Sequence, residues 1–309
     1  MFYVGIQKNG QEIIARFPYK IGIVTFMAVP ALGTDPTNVV EKIGFIAEDP
    51  FFELLELPVI SDEEWNKLRS FINSINRVMD FALGLQPIVL RGNDPAALDE
   101  DKRREVEKLL VGYSEVAGRR GYRAVGLCSG PKVSEVDKAL NAFTKTVSSI
   151  AETARKYNMD VYIETFDEVW DRKRLLGKLE FSAKVIENLR ASHPNVYLMW
   201  DLSHAPLLNE KPEDLKSYID LIGHIHIGCA KKINNVMYDS HPGFYRPGAL
   251  NDEKDVAKLL EVLISSKYHR AISFEVKPEE GQTPQEVVAT AKSVLVRAYQ
   301  IYIANMVKL

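Results

Sequence analysis

The chain has 309 residues, 46% of them hydrophobic and 26% charged, with a formal net charge of −3. This is the composition of a soluble globular protein with ample core, and the acidic balance offers no footprint for nucleic acid or an anionic membrane surface. Two cysteines, Cys128 and Cys229, are too few for a disulfide framework, and no apolar run is long enough to span a bilayer. The first residues lack the basic-then-apolar order of a secretory signal, so the cytoplasm is the expected location.

Residues 1–18 read as a β-hairpin, two mixed apolar arms around Asn9-Gly10, which supplies the left-handed residues of a tight turn. A lid over the closed end of the fold, or an oligomer contact, is its expected role. From Pro18 onward strands and helices alternate without a break. Strand one is Ile21–Phe26, followed by a helix near Val39–Ala47, and strand two is Phe52–Leu57. Ser61 and Glu64 form a capping box that opens a helix with an apolar stripe from Trp65 to Met79, closed by Gly84. Strand three is then Pro87–Leu90, with a charged helix over Glu100–Arg119, and strand four is Ala124–Cys128. Ser134 is the expected N-cap of the next helix. Strands five to eight are the runs ending Val161–Glu164, Val196–Asp201, Leu221–His226 and Ala271–Glu275. Their helices are expected over Leu175–Ser192, Lys211–Tyr218, Asp252–Lys267 and Thr283–Met306. Eight strand–helix pairs with no linker predict an α/β fold, a single (β/α)8 TIM barrel over 1–309, in preference to a doubly wound sheet.

The last four strands each close on a metal-type side chain: Glu164, Asp201, His226 and Glu275. Charged groups ending runs buried on both faces are costly unless paired. Neighbouring strands lie about 4.8 Å apart, so four side chains at one height can share an ion at the C-terminal mouth. Three carboxylates and an imidazole make a hard, mostly oxygen site, suited to one divalent ion: Mn²⁺ first, with Mg²⁺, Co²⁺ or Zn²⁺ compatible. The alternative for each residue alone is a structural ion pair or cap at a strand end.

These residues resemble the xylose-isomerase-like barrels, a family of sugar isomerases, ketose 3-epimerases and the endonuclease IV group. The likeness rests on Glu164, Asp201-Leu-Ser-His204, His224-Ile-His226 before Gly228, and Glu275. Asp239-Ser-His241-Pro242-Gly-Phe and Ser273-Phe-Glu275-Val-Lys277-Pro278 are similar to a branch described as sugar phosphate isomerases or epimerases. The resemblance implies that Glu164 and Glu275 both hold the metal and exchange protons with substrate, one on each face of the sugar. It implies that His204 touches a substrate oxygen, with support of Asp201 as the other reading. Where the epimerases carry an arginine six residues past the histidine ligand, this chain has Lys232, with Lys231 beside it. Lys232, His241 and Lys277 complete the expected substrate set, and His224 is expected to support His226. Phe244, Tyr245 and Arg246, in the long segment 230–251, are expected to clamp a sugar or to make a dimer contact.

The activity these features predict is isomerisation or epimerisation of a sugar or sugar derivative. A glutamate moves the proton beside a carbonyl, and a neighbouring dication stabilises the enediolate. A lyase or dehydratase, including C-glycoside or C–C cleavage, would share that step, and a sugar-binding barrel without turnover is the reading from another class. The endonuclase IV-type reading is weaker, because no histidine precedes His193 to complete a trinuclear cluster. A second ion at His204, Asp239 and His241 stays open. A small sugar as ligand, no nucleic acid, no membrane and a homo-oligomer are the expected associations.

Overall fold

The computed structural model describes residues 2–8 and 10–307. Eight parallel strands close into a barrel in chain order: Ile21–Val24, Leu54–Leu57, Asp80–Gly84, Ala124–Cys128, Asp160–Glu164, Val196–Asp201, Ile222–Ile227 and Ile272–Phe274, the eighth pairing back onto the first. Helices cover the outside, so the strands are buried on both faces, which is why they read as nearly continuous apolar runs. Among the described residues no helix is long and apolar enough to cross a membrane.

Tyr3–Lys8 and Gln11–Arg16 form the N-terminal antiparallel hairpin. Asn9 of the expected turn lies outside the described residues, and Gly10 is left-handed at φ 77°. Aromatic contacts fasten the hairpin's base to the barrel. Phe2 stacks on Phe17 and Phe51, and Tyr299 of the last helix donates its hydroxyl proton to the Arg16 carbonyl at 2.6 Å.

The third barrel strand differs from the sequence expectation. The helix capped by Ser61 ends at Ser74, and the chain turns through Asn76 at φ 53°. Val78 is 91% exposed, so it is no part of a buried helical stripe. Strand three is Asp80–Gly84, while Pro87 to Leu90 lie in a single helical turn, Gln86–Leu90, where a first-turn proline needs no N–H partner. Gly84 is set by close approach and not by helix termination, since a Cβ there would stand 2.7 Å from the Phe26 ring. The Ser61 box is also only half formed: Ser61 accepts from the Glu64 N–H, but the Glu64 carboxylate instead accepts from Val39 N at 2.7 Å, at the start of the helix Val39–Glu48.

Three more boundaries shift. The helix Val136–Lys156 is capped at Glu135 without a side-chain bond, so Ser134 is not the cap. Residues 165–178 stay irregular and the helix begins only at Leu179, because Asp167 draws the backbone into a turn. Its carboxylate accepts from the N–H groups of Val169, Asp171 and Arg172 at 3.0, 3.0 and 2.6 Å. Lys211–Tyr218 contains a 3-10 turn, Pro212–Ser217, in place of an α-helix.

Candidate metal centre and substrate cavity

Strand five ends on Glu164 and strand six on Asp201, strand seven carries His224 and His226, and Glu275 directly follows strand eight. The pairing register sets Asp201 beside His226, and His226 beside Ser273. The four expected ligands therefore meet at the C-terminal mouth, where barrel active sites lie. Asp201, Glu164 and His226 are no more than 1% exposed, and Glu275 is 9% exposed.

Glu164 Oε1, Asp201 Oδ2, His226 Nδ1 and Glu275 Oε2 are buried and make no well-aligned hydrogen bond, though His226 Nδ1 and Glu275 Oε2 face each other as an ion pair. Each of these four residues offers a ligand atom within 4.8 Å of the other three. His226 Nδ1 lies 2.6 Å from Glu275 Oε2 and 3.6 Å from Glu164 Oε1. A buried polar atom left unsatisfied costs roughly 1–3 kcal/mol; Glu164 Oε1 and Asp201 Oδ2 are in that position, and a cation would relieve them together with the strained His226–Glu275 contact. Three carboxylate oxygens and an imidazole nitrogen fit a divalent ion.

The charges of the metal-free cluster follow from its burial. Burial, with the neighbouring Glu275 charge, raises the Glu164 carboxyl above its ordinary range. Burial also pushes on Glu275, but the His241 and His226 imidazoles outweigh it and hold that carboxyl low. At His226 burial acts downward, and Glu56 and Glu275 reverse it, raising the imidazole well above its usual value.

Two members of this site escaped the sequence reading. Glu56, on strand two, is buried between two histidines. It accepts from His224 Nε2 at 2.9 Å and from His226 Nε2 at 3.2 Å. Because a carboxylate only accepts, Nε2 keeps its proton, so the proton His226 gives up to a cation is the one on Nδ1, which faces Glu164 and Glu275. His224 thus supports the centre through Glu56 and Ser273 Oγ. The available signal was a lone carboxylate inside Leu54-Leu-Glu-Leu57. Gln86 is the second: its Nε2 donates to Glu164 Oε2 at 2.8 Å. Assigning its surroundings to a helix end and a strand hid it.

A second cluster adjoins the first. Asp239 Oδ1 lies 3.1 Å from His204 Nε2 and 2.7 Å from His241 Nε2. Its other oxygen accepts from Arg172 Nε at 2.8 Å. His204 Nδ1 faces the Thr165 carbonyl at 2.7 Å, and the ring lies against Phe166. Asp201, His204 and His241 also offer ligand atoms within 4.8 Å of one another. His241 holds a left-handed backbone at φ 48°, uncommon for a residue with a side chain and a frequent mark of functional loops.

A cavity of about 250 Å³ opens onto the centre. Glu56, Gln86, His226, Asp239, His241 and Glu275 line its polar side, Phe26, Met27, Leu90 and Phe166 its apolar side, and Arg91, Arg172 and Lys277 add positive charge.

A family model described as a xylose isomerase-like TIM barrel matches residues 41–294. The chain belongs to that family. This xylose isomerase-like barrel matches no curated protein sequence. Among solved structures it is similar to a D-tagatose 3-epimerase-like protein, with 18% identity and a TM-score of 0.68 over 93% of this chain and 99% of the other. D-psicose 3-epimerase from Clostridium cellulolyticum H10, solved with D-tagatose, gives 15% identity and a TM-score of 0.65 over 92% and 97%. The IOLI protein with a zinc atom gives 15% and 0.67 over 92% and 99%. At these identities the structural likeness establishes the barrel.

The xylose isomerase-like barrel places the remaining expected residues unevenly. His241 and Lys277 line the cavity. His204 is 1% exposed and lies behind Phe166, outside the lining, where it contacts Asp239 and not open space. Lys232 is exposed on a small hairpin, Lys231–Ile233 with Val236–Tyr238, and does not line the cavity. Its backbone N–H pairs with the Gly248 carbonyl at 2.8 Å, which fixes the strand there. The expected clamp is also displaced: Phe244 is core, Tyr245 donates to Glu253, and Arg246 pairs with Glu279.

Proposed function

We propose that this protein is a divalent-metal-dependent isomerase or epimerase of a sugar or sugar derivative. The observation that carries this reading is the convergence of four buried ligand atoms, from Glu164, Asp201, His226 and Glu275, at the floor of a cavity. The family membership supports it. A dication held there, Mn²⁺ by preference, would supply Lewis acidity toward neighbouring substrate oxygens and ease loss of the proton beside a carbonyl.

The chain's own residues divide the remaining work. Glu275 lines the cavity, and with Oε2 turned to the ligand cluster it keeps Oε1 to take that proton. Glu164 is the partner carboxyl, with its two environments set apart from those of Glu275 as acid and base must be. Gln86 holds Glu164 through Oε2, and Glu56 holds His226, so both are oriented before substrate enters. Lys277, Arg91 and His241 are the cavity's contacts for substrate oxygens, and Phe26 and Phe166 cover the apolar face of the ring. His204 acts through Asp239 and Thr165, holding the loop that carries Phe166.

The test is solvent exchange. Mn²⁺-loaded protein is incubated with D-tagatose, D-fructose and L-ribulose in D₂O, and deuterium at the carbon beside the carbonyl is followed by NMR. Exchange that disappears in Glu275→Gln supports the assignment. Protein that takes up no divalent ion, or exchange unaffected by Glu275→Gln, would sink it.

A further inference from the structure

The loop after strand five carries a cation to the cavity and fixes it from several sides. The Asp167 carboxylate accepts from the Arg172 N–H at 2.6 Å, which sets that residue's backbone. Asp171 Oδ2 accepts from the Asp239 N–H at 3.1 Å, which ties the same loop to the segment after strand seven. The Arg172 guanidinium then lies along Asp239: Nε donates to Oδ2 at 2.8 Å and Nη2 to the backbone carbonyl at 3.0 Å. Asp239 is 2% exposed, so one edge of the fork rests on a buried carboxylate. The other edge is unused. Nη1 has no hydrogen-bond partner among the described residues and is not one of the buried unsatisfied atoms, the side chain is 36% exposed, and the residue lines the cavity. An unmet arginine nitrogen alone marks nothing, since Arg270 at the other end of the barrel also keeps free N–H groups beyond its pair with Asp160. Place distinguishes Arg172. His241 Nε2 is 2.7 Å from Asp239 Oδ1 and 3.7 Å from Glu275 Oε1, so Asp239 and His241 link the guanidinium to the oxygen assigned to proton removal.

We infer that Arg172 is a substrate-binding residue: its Nη1 edge donates to an oxygen of the bound sugar, while Nε and Nη2 stay on Asp239. This rests on the sugar reading of the site and deepens it. A guanidinium anchored along one edge presents the other in a set direction, so little freedom is lost when it takes up an oxygen. It cannot be deprotonated in a protein, and it only donates. The oxygen it meets is therefore an acceptor, a hydroxyl or carbonyl in the ground state, and the bond strengthens if that oxygen gathers negative charge as the proton leaves. A sugar that carries hydrogen in place of this oxygen loses the bond and binds more weakly.

The experiment uses full-length protein loaded with Mn²⁺, and measures Mn²⁺ and D-tagatose affinities separately by calorimetry for wild type, Arg172→Met and Arg172→Lys. Asp167 and Asp171 hold the loop through backbone N–H groups, so neither variant removes its anchors. D-tagatose binding is expected to weaken about tenfold in Arg172→Met, with Mn²⁺ affinity unchanged within about twofold. Sugar affinity at the wild-type value overturns the inference alone, and so does a fall in Mn²⁺ affinity that accounts for the whole loss. Arg172→Lys keeps a charge for Asp239 without the fork. A similar loss of sugar binding there supports a contact made by the second edge, and full wild-type affinity refutes it. Wild type that binds Mn²⁺ but no D-tagatose, D-fructose or L-ribulose sinks the sugar reading, and this inference with it. A crystal structure of the wild-type Mn²⁺–D-tagatose complex decides the matter without a variant. A sugar oxygen within about 3.2 Å of Nη1 is expected, and its absence refutes the contact.

Discussion

His226 donates its Nε2 proton to Glu56, 3.2 Å away on the far side of the barrel mouth. Once the raised imidazole gives up one proton, that bond selects the tautomer whose Nδ1 lone pair faces Glu164 and Glu275. Glu56 is not one of the four converging ligands, so its effect on the metal passes through the imidazole it holds. Glu56→Gln keeps the shape but turns an amide N–H toward one of two histidine donors. Metal affinity is expected to fall about 10–100-fold, the usual cost of losing such an outer partner. Competition against a fluorescent chelator measures this, and unchanged affinity would show that His226 is oriented by packing alone.

Asp201 is wholly buried, and its Oδ2 is one of the four converging atoms, while its Oδ1 accepts from Ser203 N at 2.7 Å. Asp201→Ala removes the oxygen shared between the two neighbouring clusters. Elemental analysis is expected to give about one divalent ion per wild-type chain and none in the variant. Two zinc ions per wild-type chain would place a second at His204, Asp239 and His241 and favour hydrolytic chemistry.

The same cluster predicts how metal and pH are linked. Burial opposes protonation of His241, but Glu275, Asp239 and Asp201 overcome it and raise the imidazole from 6.5 to about 9 in the metal-free chain. A raised folded-state value contributes stability that is complete below pH 6.5 and is lost as the pH climbs through about 9. His226 and Glu164, also raised, must lose protons before they can bind a cation. The metal-free protein should therefore lose Tm as pH rises from 6.5, while metal uptake strengthens over the same range. The gap in Tm between Mn²⁺-loaded and chelator-treated protein is expected to widen from pH 6 to pH 9. A gap that stays constant or narrows would show that these imidazoles do not exchange protons for metal.

What the sequence revealed here depended on whether a residue's partner lay on the same type of signal. Glu164, Asp201, His226 and Glu275 were legible because each charged group ends an apolar run, and four such ends in order imply one rim. Strand three was not, because Trp65 to Met79 keeps helical spacing past the point where Asn76 turns the backbone, and periodicity alone carries no sign of a left-handed residue. Losing that strand also lost Gln86. Lys232 was assigned by its distance along the chain from His226, yet it stands exposed on a small hairpin and does not line the cavity. Offset along a loop does not fix direction, whereas offset along a strand does.

Gly228, just beyond strand seven, links packing to the site. Its φ is not left-handed, so the glycine is there for space. A Cβ would stand 2.3 Å from the carbonyl oxygen of Glu275 and 3.3 Å from His241 Nδ1. The first of these is backbone, held by the Glu275 N–H bond to the Ile227 carbonyl at 3.0 Å, and it cannot swing aside as a side chain would. Gly228→Ala must push the Glu275 backbone away from the ligand cluster. A loss of about 1–3 kcal/mol in urea unfolding is expected, together with weaker Mn²⁺ binding. Gly112→Ala is the control, on the exposed side of the helix Glu100–Arg119 with nothing within 4 Å of the new methyl. There a gain of about 0.4–1 kcal/mol and unchanged Mn²⁺ affinity are expected, because only the unfolded chain is restricted. If Gly228→Ala lowers stability yet leaves Mn²⁺ affinity at the wild-type value, the backbone at Glu275 does not set the position of its carboxylate.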